Sequence, residues 1–179
     1  MRLDADTVVL VSPDGARAWI SVPFPPLATG ADVLAGLVEH ATARRTVGVL
    51  LARRGGYAAG VFEGTDLIAS KVGSNYVQGT TKAGGWSQKR YARRRDNQAQ
   101  AALDDAADAA ARVFTGTPKL DALVLGGDRR SVESVLDDPR LAGLRPLVTG
   151  PLLAVADPRL KVLRDTPELF QAVRIALHP

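Results

Sequence analysis

The sequence predicts an α/β fold built on a mixed sheet, and three observations predict it. Three apolar runs follow in close succession, at 46–52, 57–63 and 66–72, separated by Arg54-Gly55-Gly56 and by Gly64-Thr65. A long stretch, 87–114, is rich in alanine and contains no glycine or proline. Beyond it, short apolar runs at 120–125 and 152–156 alternate with helical patterns at 129–136 and 166–177.

Connections as short as those between the first three runs force neighbouring antiparallel strands. Alanine has the highest intrinsic helix propensity, so 87–114 reads as one long helix. At about 100° per residue, Ala92, Ala99, Leu103, Ala106, Ala110 and Phe114 share the side expected to pack on the sheet, and Arg90, Arg93, Arg94 and Asn97 lie opposite. Upstream, 7–12 and 16–22 read as a hairpin across Pro13-Asp14-Gly15. The proline-rich passage 23–30 breaks regular structure, and 31–43 spaces Val33, Leu34, Leu37 and Val38 along one helical face. Downstream, Asp128 reads as the N-cap of helix 129–136, 152–156 as the last strand, and 166–177 as a closing helix capped by Thr166 and Glu168.

Three antiparallel strands, then helix, strand, helix, strand, helix, is the order of the ribonuclease-H-like fold, an expectation about fold and not about function. A single domain, 1–179, is expected. It would comprise an N-terminal hairpin and helix, 1–43, and a core, 44–179, whose glycine-rich loop with the start of its helix spans 73–88.

Composition bounds the chemistry. The chain has 179 residues with 46% hydrophobic and 23% charged content, ordinary values for a globular protein. With no cysteine, disulfides, thiolate nucleophiles and thiolate zinc sites are excluded. Asp4 and Asp6 stand where a signal peptide would carry a basic patch and an apolar run, and no apolar stretch approaches the roughly 20 residues of a membrane span. A cytoplasmic location is therefore expected, with no membrane partner. His40 and His178 are far apart in sequence and read as ordinary surface histidines. A two-metal nuclease needs clustered carboxylates. The first core strand has none, Asp121 and Asp128 flank theirs, and of Asp104, Asp105 and Asp108 on the long helix the first two are adjacent and so diverge by about 100°. Gly126-Gly127-Asp128-Arg129-Arg130 could touch RNA phosphate or be a capped turn.

The net charge is +4, and its distribution says more than its size. From Leu67 through Arg95 there is no acidic residue, while Lys71, Lys82, Lys89, Arg90, Arg93, Arg94 and Arg95 all fall in that window. Five of these seven cations crowd the first turns of the long helix. The helix dipole favours acids at that end, each cation there forfeiting roughly 0.3–1 kcal/mol. Such a concentration suits an external polyanion, and nucleic-acid phosphate is the anion it fits best. A solvated basic face is the plain structural alternative.

Gly84-Gly85 opens the loop to backbone conformations and close approaches that side chains would block. The string from Gly79 to Gln98, Gly-Thr-Thr-Lys-Ala-Gly-Gly-Trp-Ser-Gln-Lys-Arg-Tyr-Ala-Arg-Arg-Arg-Asp-Asn-Gln, resembles the actinobacterial branch of the release-factor-like peptidyl-tRNA hydrolases. That family includes the eukaryotic ribosome-quality-control hydrolase with ankyrin repeats and a zinc finger. It is similar to the glycine-glycine-glutamine domain of the eukaryotic and archaeal class I release factor. In that release factor the glutamine follows the glycines directly; here Trp86 and Ser87 intervene, the spacing of the quality-control branch.

The resemblance implies a loop that enters the peptidyl-transferase centre of the large ribosomal subunit and promotes attack of water on the peptidyl-tRNA ester. Gln88 is then the catalytic residue, Gly84 and Gly85 supply the loop conformation, and Lys82, Trp86, Lys89, Arg90, Arg93, Arg94 and Arg95 contact rRNA or tRNA. Trp86 could stack on a base or pack on its own loop. Ser87 reads as a helix N-cap. A glutamine neither titrates nor attacks, so no cofactor or metal is implied. The partners are the large subunit and peptidyl-tRNA, and the role is rescue of stalled ribosomes. The alternative is an RNA- or ribosome-binding module without catalysis.

Overall fold

In chain order the strands and helices of the computed structural model are β1 (Arg2–Leu3), β2 (Thr7–Val11), β3 (Arg17–Ser21), α1 (Val33–Thr42), β4 (Thr46–Arg53), β5 (Gly56–Glu63) and β6 (Asp66–Ser74). There follow α2 (Ser87–Thr115), β7 (Ala122–Gly127), α3 (Arg129–Leu136), a 3-10 stretch (Pro139–Leu147), α4 (Leu160–Arg164), α5 (Pro167–Phe170) and β8 (Ile175–His178). The structure describes residues 2–3, 6–28, 30, 32–53, 56–74, 87–117 and 119–178, with side chains for the same residues except 2–3 and 87–97. Contacts divide the chain into two units, 1–44 with 167–179, and 45–166.

In the first unit the expected hairpin forms, with β2 and β3 antiparallel and Val8 opposite Ile20. Ser12 N donates to Ala16 O at 2.9 Å across the Pro13-Asp14-Gly15 turn. The Asp32 carboxylate caps α1, accepting from Leu34 N and Ala35 N at 3.0 Å, which satisfies two of the orphan donors of the first turn. Only half of the anticipated apolar face is covered: Leu37 is buried, whereas Leu34 and Val38 are 46% and 64% exposed.

The expected closing helix over 166–177 is corrected. Helix survives only as α5, and Ile175–His178 is instead a strand pairing antiparallel with β3, giving the sheet order β1-β2-β3-β8. Val173, Ile175 and Leu177 alternate as a strand requires, and pairing with a distant strand overrides a local helical pattern. Thr166 does not cap that helix; it is buried, and its hydroxyl donates to Leu163 O at 2.7 Å.

In the second unit β4, β5 and β6 are antiparallel, and β7 returns parallel to β4, giving the order β6-β5-β4-β7. The run anticipated at 152–156 joins this sheet through a single parallel bridge, Leu153 to Gly126. Flanking Pro151 and Pro158 limit its pairing, because proline cannot donate to a ladder. β4 is buried on both faces from Val47 to Ala52, as a central strand covered on both sides should be.

Ala106, Ala110 and Phe114 of α2 are buried against the sheet as expected. Ala107, Ala109, Ala111 and Val113 are buried as well, so in the C-terminal half of this helix the exposed side narrows to a stripe along Ala101, Asp104, Asp105, Arg112 and Thr115. Each fully buried leucine, such as Leu50 or Leu123, contributes roughly 1.5–3 kcal/mol. Asp128 caps α3 as expected, accepting from Ser131 N at 2.9 Å.

Candidate functional site

β6 ends at Ser74 and α2 starts at Ser87, so the glycine-rich and basic string spans the link between an edge strand and the longest helix. Lys82, Gly84, Gly85 and Trp86 lie outside the described residues. Gln88, Lys89, Arg90, Arg93, Arg94 and Arg95 have their backbone in α2, and their side chains are outside the description. Their helical placement agrees with the helix anticipated from 87 to 114. The first turn of α2 holds no acidic residue, which leaves the positive end of its dipole without an internal counter-charge from that turn.

Tyr57 at the start of β5 is paired directly with Gly73 of β6. A Cβ placed on Gly73 would overlap the Tyr57 ring, so only glycine permits the ring to lie there. The phenol is half-buried, and burial raises its pKa, with Asp105 adding to the rise, Arg112 opposing it and Asp108 adding a smaller rise. Beside it, a cavity of about 570 Å³ is bounded by Gly56, Gly73, Ser74, Asp157, Pro158 and Arg159.

A second cavity, about 590 Å³, lies between α2 and the carboxyl ends of β4 and β7, with Arg53, Tyr57, Ala99, Leu103, Asp128 and Arg130 on its walls. Arg53 is held in place there, Nη1 donating to Val155 O at 2.8 Å. The Asp128 carboxyl titrates below its ordinary range because the Ser131 side chain, then the Ser131 backbone N–H, hydrogen-bond to it. The segment Gly126-Gly127-Asp128-Arg129-Arg130 is thus a capped turn whose carboxylate is already engaged with Ser131.

Sequence reading did not single out Tyr57, Arg53 or Gly73. For Tyr57 and Gly73 the signal is a cross-strand register, and for Arg53 a bond to Val155 O about a hundred residues on, neither of which composition and spacing along one strand carry. Among the described residues no three His, Cys, Asp or Glu side chains are grouped to hold a metal ion. No helix of the described residues is long and apolar enough to cross a membrane.

Among solved structures, an archaeal translation termination factor, aRF1, matches with a TM-score of 0.51 and 15% identity, over 86% of this chain and 46% of that one. Another, described only as an archaeal protein, matches with a TM-score of 0.39 and 13% identity, over 87% of this chain and 48% of that one. The chain thus spans about half the length of the solved structures it matches. At such identity the likeness to aRF1 concerns the fold alone. No curated protein matches the chain. Residues 45–176, which include Gly84, Gly85, Gln88 and all of α2, match the model of the Actinobacteria/chloroflexi VLRF1 release factor family, and the chain belongs to that family.

Proposed function

We propose that this protein is a peptidyl-tRNA hydrolase of the release-factor type, working at the peptidyl-transferase centre of the large ribosomal subunit in rescue of stalled ribosomes in the cytoplasm. One observation carries the reading: the family match spans the Gly84-Gly85-Trp86-Ser87-Gln88 string, which ends in the first turn of the basic helix α2. The strand order β6-β5-β4-β7, with parallel bridges beyond β7, supports a ribonuclease-H-like core as its scaffold.

In this mechanism the protein supplies position and polarity. Water adds to the ester carbonyl carbon, the bond from that carbon to the ribose oxygen breaks, and a proton from the water passes to that departing oxygen, which leaves as the ribose hydroxyl. The amide of Gln88 orients the water by hydrogen bonding, and a neutral side chain does so without titrating near neutral pH. Gly84 and Gly85 allow the main chain to approach the ester closely. Lys82, Lys89, Arg90, Arg93, Arg94 and Arg95 neutralise RNA phosphates as the loop enters, and Trp86 offers a stacking surface.

The test is release of labelled peptide from peptidyl-tRNA bound to isolated large subunits. The native chain should release peptide in a single turnover. Binding to the subunits without any release would instead favour a non-catalytic ribosome-binding module.

A further inference from the structure

Tyr57 and Gly73 face each other in the β5–β6 register, and the Tyr57 ring occupies the space a side chain at Gly73 would need. An aromatic lying over a cross-strand glycine covers its backbone and holds the edge strand in register. Gly73 is the second-last residue of β6, so the ring bears on the chain where it passes into residues 75–86.

The same side chain also belongs to the apolar packing beneath the helix that follows those residues in sequence. Tyr57 packs against the apolar cluster that contains Ala106 and Ala110 of α2, and it lines the same cavity as Ala99 and Leu103. Gln88 lies on the same continuous helix, eleven residues before Ala99, or roughly 16 Å at about 1.5 Å per residue. A tilt of about 5° at Ala99 would move the start of this rod by about 1.4 Å. Misplacement of about 1 Å can cost a reaction on the order of 100-fold.

From this geometry we infer that Tyr57 is a positioning residue for Gln88: one ring grips the strand that enters the loop and the helix that leaves it, fixing where the first turn of α2 is presented. This rests on the hydrolase reading of the site. The ring does this by shape, so the hydroxyl is dispensable.

Four variants test it: Tyr57→Ala, Tyr57→Phe, Gly73→Ala and the double variant Tyr57→Ala/Gly73→Ala. Each is measured for affinity to isolated large subunits and for single-turnover release at saturating subunits. Tyr57→Phe should release at close to the native rate. Tyr57→Ala should release on the order of 10- to 100-fold more slowly, with affinity within about twofold of native, since no RNA-contacting side chain has been removed. Gly73→Ala should slow release in the native background and add little once the ring is gone, because the two residues share one contact. Native-rate release by Tyr57→Ala overturns the inference, as do a parallel fall of affinity and rate, equal damage from Tyr57→Phe, or additive effects in the double variant. A native chain that releases no peptide overturns the hydrolase reading and this inference with it.

Discussion

Thr46 and Asp121 are joined twice: the Asp121 carboxylate accepts from Thr46 N at 2.8 Å, and Asp121 N donates to Thr46 O at 2.9 Å. The first strand of the mixed sheet and the strand that returns beside it after α2 are thereby pinned at their shared starting edge. Adjacent Arg45 has its pKa lowered by burial, an effect that Asp121 opposes. Asp121→Ala removes the acceptor of a charge-assisted bond and should cost about 1–2 kcal/mol in urea unfolding. Unaltered stability would mean that water replaces the carboxylate without loss.

Acid sensitivity should centre on the bridge between α2 and the 3-10 stretch. Arg140 Nη2 lies 2.7 Å from both Asp108 and Asp138. The Asp138 carboxyl is held at about 2, below its ordinary 3.8, first by the Arg140 side chain and then by the Arg140 backbone N–H. A depressed carboxylate pKa contributes stability above the unfolded value and loses it as pH falls through the folded one. Melting temperature should therefore decline between pH 3.8 and about 2, and Arg140→Ala should flatten that part of the decline. An identical pH profile for the variant would show that this bridge does not set the acid response.

Gly127 carries a φ of +97°, and a Cβ there would run into Ala52 O. It turns the chain from β7 into α3 while its N–H donates to Leu153 O at 2.9 Å. Gly127→Ala should destabilise by about 2 kcal/mol or more, combining an unfavourable φ with a backbone clash. Removing the neighbouring cap with Asp128→Ala should cost about 1 kcal/mol. Thermal unfolding of the two variants gives the order, and an equal cost for both would contradict the clash.

If the start of α2 neutralises RNA phosphates, Arg93→Ala/Arg94→Ala should weaken binding to large subunits and flatten its dependence on salt. Each lost phosphate contact lowers the log–log slope by nearly one. Affinity measured from low to moderate salt reads this directly. A slope equal to native would leave these residues as a solvated face.

The architecture of the second unit is legible in the sequence because its signals are local. Short Gly-containing links between apolar runs dictate antiparallel neighbours, an alanine-rich stretch without breakers dictates α2, and Asp128 stands where a cap belongs. The end of the chain departs from its local helical pattern because Ile175–His178 gains its strand partner from β3, about 155 residues earlier in sequence, and no local pattern encodes that. Leu34 and Val38 likewise repeat at helical spacing, yet the small sheet beneath α1 covers only its Val33 and Leu37 side. At the candidate site the motif itself is readable as a string of residues. Its support is not: Tyr57 over Gly73 is a cross-strand register, visible only once the strands are paired.

The catalytic role proposed for Gln88 is tested most directly by single-turnover release of peptide from peptidyl-tRNA on isolated large subunits, comparing the native chain with Gln88→Ala. The variant should bind the subunits with near-native affinity and release no more peptide than subunits alone. Release by Gln88→Ala at the native rate would contradict that role.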